Sequence, residues 1–226
     1  MTILKYQLFG RNSIGVYIEL NNLFGLYPST LIKSAEKKLK SVFEIPLYPF
    51  SINNSNLIGV YTVSNKNGII VPHIIREDEL IKLRSYTAEF NHNYKIGILK
   101  SIDNAFGNLI LCNDKGAIIS TFLKEYREII EDILGVETIV YEFAENHLPG
   151  SIGISNNRGC LVHPLTNDEE IETITSILKV NETDVSTVNR GIPYLSSGAS
   201  VNDIGGIFGL ECTGPEMMRL TNVLGL

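Results

Sequence analysis

The chain has 226 residues, a net charge of −6, and 44% hydrophobic against 19% charged residues. That much apolar chain can bury a sizeable core and excludes intrinsic disorder. The acidic balance disfavours wrapping bare nucleic acid, and no apolar run approaches the roughly 20 residues of a membrane-spanning helix.

Met1–Tyr6 has no basic flank followed by an apolar run, so it does not read as an export signal. Three scattered cysteines, Cys112, Cys160 and Cys212, predict reduced thiols in the cytoplasm rather than a disulfide framework.

In chain order, Ile3–Phe9 predicts a strand. The apolar stretches Ile14–Leu20 and Leu26–Tyr27 flank Asn22-Leu-Phe-Gly25 and predict a hairpin, because Asn and Gly tolerate tight turns. A helix over 30–42 and a strand over 45–52 follow. Ile58–Val63 and Ile69–Val71 flank Asn65-Lys-Asn-Gly68. A helix over 78–86, a polar loop over 85–93 and a strand over 94–102 complete that stretch.

Next, Leu109–Cys112 and Ala117–Ile119 flank Asn113-Asp-Lys-Gly116. Phe122, Leu123, Tyr126, Ile129, Ile130, Ile133 and Leu134 then form a helical apolar stripe, followed by a strand over 138–143. Ile152–Ile154 and Cys160–Val162 flank Asn156-Asn-Arg-Gly159. Thr166 and Glu169 form a capping box before Ile171, Ile174, Ile177 and Leu178, and a strand over 185–188 follows. Finally, Ala199–Val201 and Ile207–Phe208 flank Asn202-Asp-Ile-Gly205. Thr213 and Glu216 cap a helix carrying Met217, Leu220 and Leu224.

The tetrapeptide Asn-x-x-Gly thus recurs five times, every 43 to 48 residues, across the whole length. The fold class is α/β in the broad (α+β) sense: one domain of five ββαβ units around a pseudo-five-fold axis. The units span 11–52, 53–102, 103–144, 145–189, and 190–226 together with 1–10. The last helix has no strand after it, so Ile3–Phe9 is expected to join the fifth unit and close the ring, which removes exposed edges.

Several stretches carry a family resemblance: Asn67-Gly-Ile-Ile-Val-Pro72, Phe106-Gly-Asn-Leu-Ile-Leu-Cys-Asn-Asp114, Arg158-Gly-Cys-Leu-Val-His-Pro164, Thr187-Val-Asn-Arg-Gly191 and Val201-Asn-Asp203. With them the chain resembles the translation initiation factor 6 family, in its archaeal form. The resemblance implies a closed pentein ring that binds the large ribosomal subunit on its intersubunit face. It implies that small-subunit joining is blocked by occlusion, and that the protein takes part in large-subunit maturation. It also implies docking mainly on a ribosomal protein near the sarcin–ricin loop, little direct nucleic-acid contact, a monomer, no membrane and no cofactor. An acidic chain suits a basic ribosomal protein.

In a quasi-symmetric ring, function should sit where one unit departs from the others. The residues after the first glycine of each unit are read as Val16, Val60, Asn108, Ser151 and Ala199. Asn108 is the most polar of them and falls, with position 60, on the surface that the resemblance turns toward the ribosome. Asn12, Asn56 and Asn104 precede their glycines by three residues and are expected at the same end. The alternative for Asn108 is a local bond to a turn backbone. Arg158 and Arg190 are surface charges or partners in a salt bridge to the ribosome.

No His-x-x-x-His or Cys-x-x-Cys spacing joins His73, His92, His147 and His163, so no metal site is predicted. The competing reading is a guanidine-modifying enzyme on the same fold. It would use Cys212 as nucleophile, His163 as acid/base, and Asp114, Asp203 and Glu211 as guanidinium partners. The acid such enzymes carry two residues after the histidine is missing: those positions hold Ile75, Tyr94, Pro149 and Leu165.

Overall fold

The computed structural model describes residues 3–89 and 93–226. His92 and part of the polar loop over 85–93 lie outside them, as do Met1 and Thr2.

Strand β1 (Ile3–Tyr6) comes first in the chain but belongs to the last sheet. The first unit holds β2 (Glu19–Leu20), β3 (Gly25–Pro28), α1 (Lys33–Lys40) and β4 (Leu47–Phe50). The second holds α2 (Ile58–Tyr61), β5 (Val63–Ser64), β6 (Gly68–Pro72), α3 (Glu77–Ala88) and β7 (Lys95–Leu99). The third holds α4 (Phe106–Leu109), β8 (Ile110–Cys112) and β9 (Gly116–Ile119). A 3₁₀ turn (Thr121–Tyr126), α5 (Arg127–Leu134) and β10 (Glu137–Val140) complete it. The fourth holds α6 (Pro149–Ile152), β11 (Gly153–Ser155), β12 (Gly159–Val162), α7 (Asp168–Leu178) and β13 (Glu182–Val185). The fifth holds α8 (Leu195–Gly198), β14 (Ala199–Val201), β15 (Gly206–Gly209) and α9 (Gly214–Leu224).

Each unit builds one three-stranded sheet: an antiparallel hairpin plus a third strand parallel to the hairpin's second. In the fifth sheet β1 fills that third place. Ile3 lies opposite Gly206 and Tyr6 opposite Gly209. The five sheets remain separate and do not merge into one barrel.

The turn asparagines both shape the hairpins and join the units. Asn113 Oδ1 accepts from Lys115 N and Gly116 N at 2.8 and 3.0 Å, which fixes the turn. Its Nδ2 donates to Asn156 O and Leu178 O of the next unit. Asn65 and Asn156 repeat both halves of this arrangement. Asn202 Nδ2 reaches Asn21 O of the first unit at 3.4 Å.

In the first unit the turn residue is Asn21, not Asn22. Asn21 Oδ1 takes Leu23 N and Phe24 N, so Phe24 stands where the other turns have glycine. Asn22 occupies the next position and meets Asp114 and Asp203, each at 2.9 Å from its Nδ2. Asn157 bridges the same two carboxylates at 2.7 Å.

Four short helical turns, α2, α4, α6 and α8, were not expected: α2 falls on the stretch read as the strand Ile58–Val63, and α4, α6 and α8 come just ahead of the strands read from Leu109, Ile152 and Ala199. Four residues are too few to show a helical period. They pack through glycines. A Cβ on Gly59 would lie 1.9 Å from Gly15 O, one on Gly107 1.9 Å from Gly59 O, and one on Gly150 2.3 Å from Gly107 O. In the fifth unit this position is Ser196, six residues before Asn202 as Gly150 is before Asn156. The residue equivalent to Asn108 is therefore Ser197, and not Ala199, which opens β14.

Each core cluster straddles two units. Leu111 and Ile118 pack with Ile152, Val162 and Ile174, while Ile207 packs with Leu8, Ile14 and Leu39. The capping box of α7 lies one residue later than expected, at Asn167 and Glu170; that of α9 is at Thr213 and Glu216 as read.

Candidate interaction surface

Val60 and Asn108 lie on the adjoining turns α2 and α4, which the Gly59–Gly107 contact holds together. Both side chains are half-buried. Asn108 N donates to Ala105 O at 2.9 Å, which closes the turn through the backbone. Among the described residues its side-chain amide has no hydrogen-bond partner. The local role considered for Asn108 is therefore absent, and an amide with four hydrogen-bonding sites is free for a partner.

The three other asparagines differ. Asn12 Oδ1 accepts from Gln7 Nε2 at 3.0 Å, and Asn12 O accepts from Asn189 Nδ2 at 3.1 Å. Asn56 Oδ1 accepts from Thr30 Oγ1 at 3.1 Å. Asn104 Nδ2 donates to Ile102 O at 3.2 Å, while its Oδ1 is buried without a partner among the described residues. Asn12 and Asn56 thus hold local structure, and Asn104 does so in part.

Apolar side chains beside these turns add what the sequence reading missed. Ile102 is 96% exposed, two residues before Asn104, and Leu57 and Tyr194 precede α2 and α8 with more than a third of their surface exposed. Ile102 was expected at the end of a strand, but β7 stops at Leu99. Exposed large apolar groups on the same set of loops as an unpaired amide have the make-up of a protein contact.

A second concavity, of about 110 Å³, lies where β2, β5, β8, β11 and β14 meet. Glu19, Ser64, Cys112, Ser155 and Ser200 line it. Ser64 Oγ donates to Glu19 Oε1 at 2.6 Å. Burial raises the Glu19 pKa to about 8, against the lowering effect of the Ser64 bonds.

Of the residues that guanidine chemistry would use, Cys212, His163, Asp114 and Asp203 are engaged in local bonds. Cys212 is 1% exposed, and burial pushes its thiol up, away from the nucleophilic thiolate. Its Sγ accepts from Asn189 N at 3.3 Å. Asp114 and Asp203 are held by Asn22 and Asn157. His163 Nδ1 accepts from Leu165 N at 3.1 Å. Arg158 Nη1 donates to Gly225 O, which secures the end of α9, and Arg190 N donates to Glu216. Among the described residues no group of three metal-binding side chains is assembled, and no helix is long and apolar enough to cross a membrane.

Known proteins share this arrangement of sequence. The profile of the eIF-6 family matches residues 3–223. Translation initiation factor 6 of Methanococcus vannielii is 39% identical over 224 residues, 99% of each chain. That of Methanocaldococcus jannaschii is 36% identical, covering 100% of this chain and 99% of its own. That of Pyrobaculum aerophilum is 34% identical over 99% of both. With a family profile along nearly its whole length and such relatives from end to end, the chain belongs to the eIF-6 family.

Proposed function

We propose that this protein is a translation initiation factor that binds the large ribosomal subunit and keeps the small subunit from joining. It is a single-domain monomer with the pentein fold, its five units closed into a ring by β1, and it works in the cytoplasm. It takes part in large-subunit maturation and performs no catalysis. The contact is made mainly with a basic ribosomal protein near the sarcin–ricin loop, with little direct nucleic-acid binding.

The observation that carries this reading is the Asn108 amide, unpaired on the α4 turn beside Val60 and close in sequence to the exposed Ile102. Asn108 is central to the contact, with Val60 beside it. Asn12, Asn56 and Asn104 shape the surrounding loops. The mechanism is occupancy: two ligands that need one surface exclude each other, so the block follows the fraction of subunits occupied.

The test is co-sedimentation with isolated large subunits. Asn108→Ala should weaken binding about tenfold, the size of one well-placed interfacial hydrogen bond. Its Tm should match that of the parent protein, because the amide has no partner to lose. Equal binding of parent and variant would remove Asn108 from the interface. Failure of the parent protein to bind would remove the ribosomal reading.

A further inference from the structure

Three of the five units share a device that the first unit lacks. In the second unit a tight corner, Asn53–Asn54, has both residues at positive φ, and its backbone amides point at the glutamate three residues past the helix cap. Glu79 accepts from Asn53 N at 2.7 Å, Asn54 N at 3.0 Å, Arg76 N at 3.1 Å and Ser51 Oγ at 2.7 Å. In the fourth unit Glu170 accepts from Ala144 N and Asn167 N. In the fifth, Glu216 accepts from Arg190 N, Gly191 N and Thr213 N.

The turn that leads into the first unit is the same corner. Phe9 and Gly10 have φ of 52° and 70°, and Leu8 bridges Arg11 as Ile52 bridges Ser55. The position of the glutamate is Ala35, three residues past the cap Ile32 of α1. Among the described residues no acceptor meets Phe9 N, Gly10 N or Ile32 N. Gln7 stands where Ser51 does and keeps one amide hydrogen after bonding Asn12.

The vacated place is open. A groove of about 470 Å³ is lined by Gln7, Phe9, Gly10, Ile32, Ala35 and Leu210, among others. Its rim is apolar: Phe9, Ile32 and Leu210 are 46%, 68% and 51% exposed. Among the described residues no charged side chain lines the groove, and Lys38 of α1 stands beside Tyr6, which does. Helix α1 carries Lys33, Lys37, Lys38 and Lys40. Lys40 pairs with Glu36 at 2.6 Å and Lys38 lies over the Tyr6 ring at 4.5 Å. Lys33 and Lys37 are exposed, and at two residues either side of Ala35 they lie on the opposite face of α1. Glu211, next to Leu210, is the opposing charge.

We propose that this groove docks a segment of a partner protein that presents one carboxylate between bulky apolar residues. The carboxylate takes the place that Glu79, Glu170 and Glu216 fill in the sibling units, receiving Phe9 N, Gly10 N and Ile32 N. The apolar neighbours cover Phe9, Ile32 and Leu210, and Lys38 beside Tyr6 attracts the acidic segment. A nucleic-acid phosphate would satisfy the amides but leave the apolar rim uncovered.

The test uses the full chain and a fluorescein-labelled ten-residue peptide with Leu-Glu-Phe at its centre in a Gly/Ser/Asp background. Binding should move the amide resonances of Phe9, Gly10 and Ile32. Replacing the central Glu of the peptide by Gln should weaken it about tenfold, as loss of charge-assisted bonds does. Ala35→Glu should fill the place from within, abolish peptide binding and raise Tm. Ile32→Ser should weaken binding at least about threefold through the apolar rim alone, which keeps the test decisive if Ala35→Glu fails to fold. No peptide binding, equal binding of the Gln peptide, or full binding by a folded Ala35→Glu variant would each overturn the proposal. So would a ten-nucleotide single-stranded RNA that moves these amides when the peptide does not.

Discussion

A glutamate at position 19 stands where the sibling strands carry Val63, Leu111, Ile154 and Ser200. It is 9% exposed, and burial raises its pKa to about 8 from 4.5. The folded chain therefore keeps a proton on Glu19 that the unfolded chain releases above pH 4.5. Its contribution to stability is intact below pH 4.5 and is lost as pH rises toward 8. At pH 7 the cost is on the order of 3 kcal/mol. Glu19→Gln should remove it, so the variant should gain on the parent steadily between pH 5 and 8 in urea denaturation. Parallel curves would show that Glu19 titrates normally. Residue identity was legible in the sequence at most turns but misplaced at two. Gly25 drew the reading to Asn22, although Phe24 fills the glycine position and Asn21 accepts its amide. Gly198 drew it past Ser196 in the same way. Both misses came from counting glycines where the geometry follows the asparagine side chain.

At the scale of the element, the short turns α2, α4 and α6 meet where a single hydrogen is the largest tolerated side chain. Gly107→Ala would place a methyl group 1.9 Å from Gly59 O, a backbone atom that does not yield cheaply. It should destabilise by about 3 kcal/mol or more, read as a fall in urea midpoint. Ser196→Gly, at the equivalent place in the fifth unit, loses the Ser196 Oγ bond to Ser151 O and should change stability by about 1 kcal/mol. Comparable losses in the two variants would contradict the glycine-packing account. The hairpins and longer helices were legible because asparagine turns and apolar stripes are local signals. The turns α2, α4, α6 and α8 were not, because each spans four residues and its stability comes from the neighbouring unit. The free amide of Asn108 was legible as a polar position, but its lack of a partner was not. Only the fold shows that the backbone closes α4 without it.

Across the whole molecule the units depend on one another. Every core cluster draws on two of them, the turn asparagines hand hydrogen bonds from each to the next, and β1 completes the sheet of β14 and β15. The pairing of the chain's first strand with its last hairpin was legible because the fifth helix has no strand after it. The apolar groove beside α1, with its unmet backbone amides, was not, because it arises from a glutamate that is missing at one corner among four. A body so interlocked suits action by occupancy, with binding loops held in place rather than ordered on contact. The most direct test is a sucrose-gradient joining assay with purified large and small ribosomal subunits, with and without the protein. The account predicts that the joined peak falls while the protein sediments with the large subunit alone, and that Asn108→Ala restores joining at equal concentration. An undiminished joined peak with the protein left at the top of the gradient would contradict it.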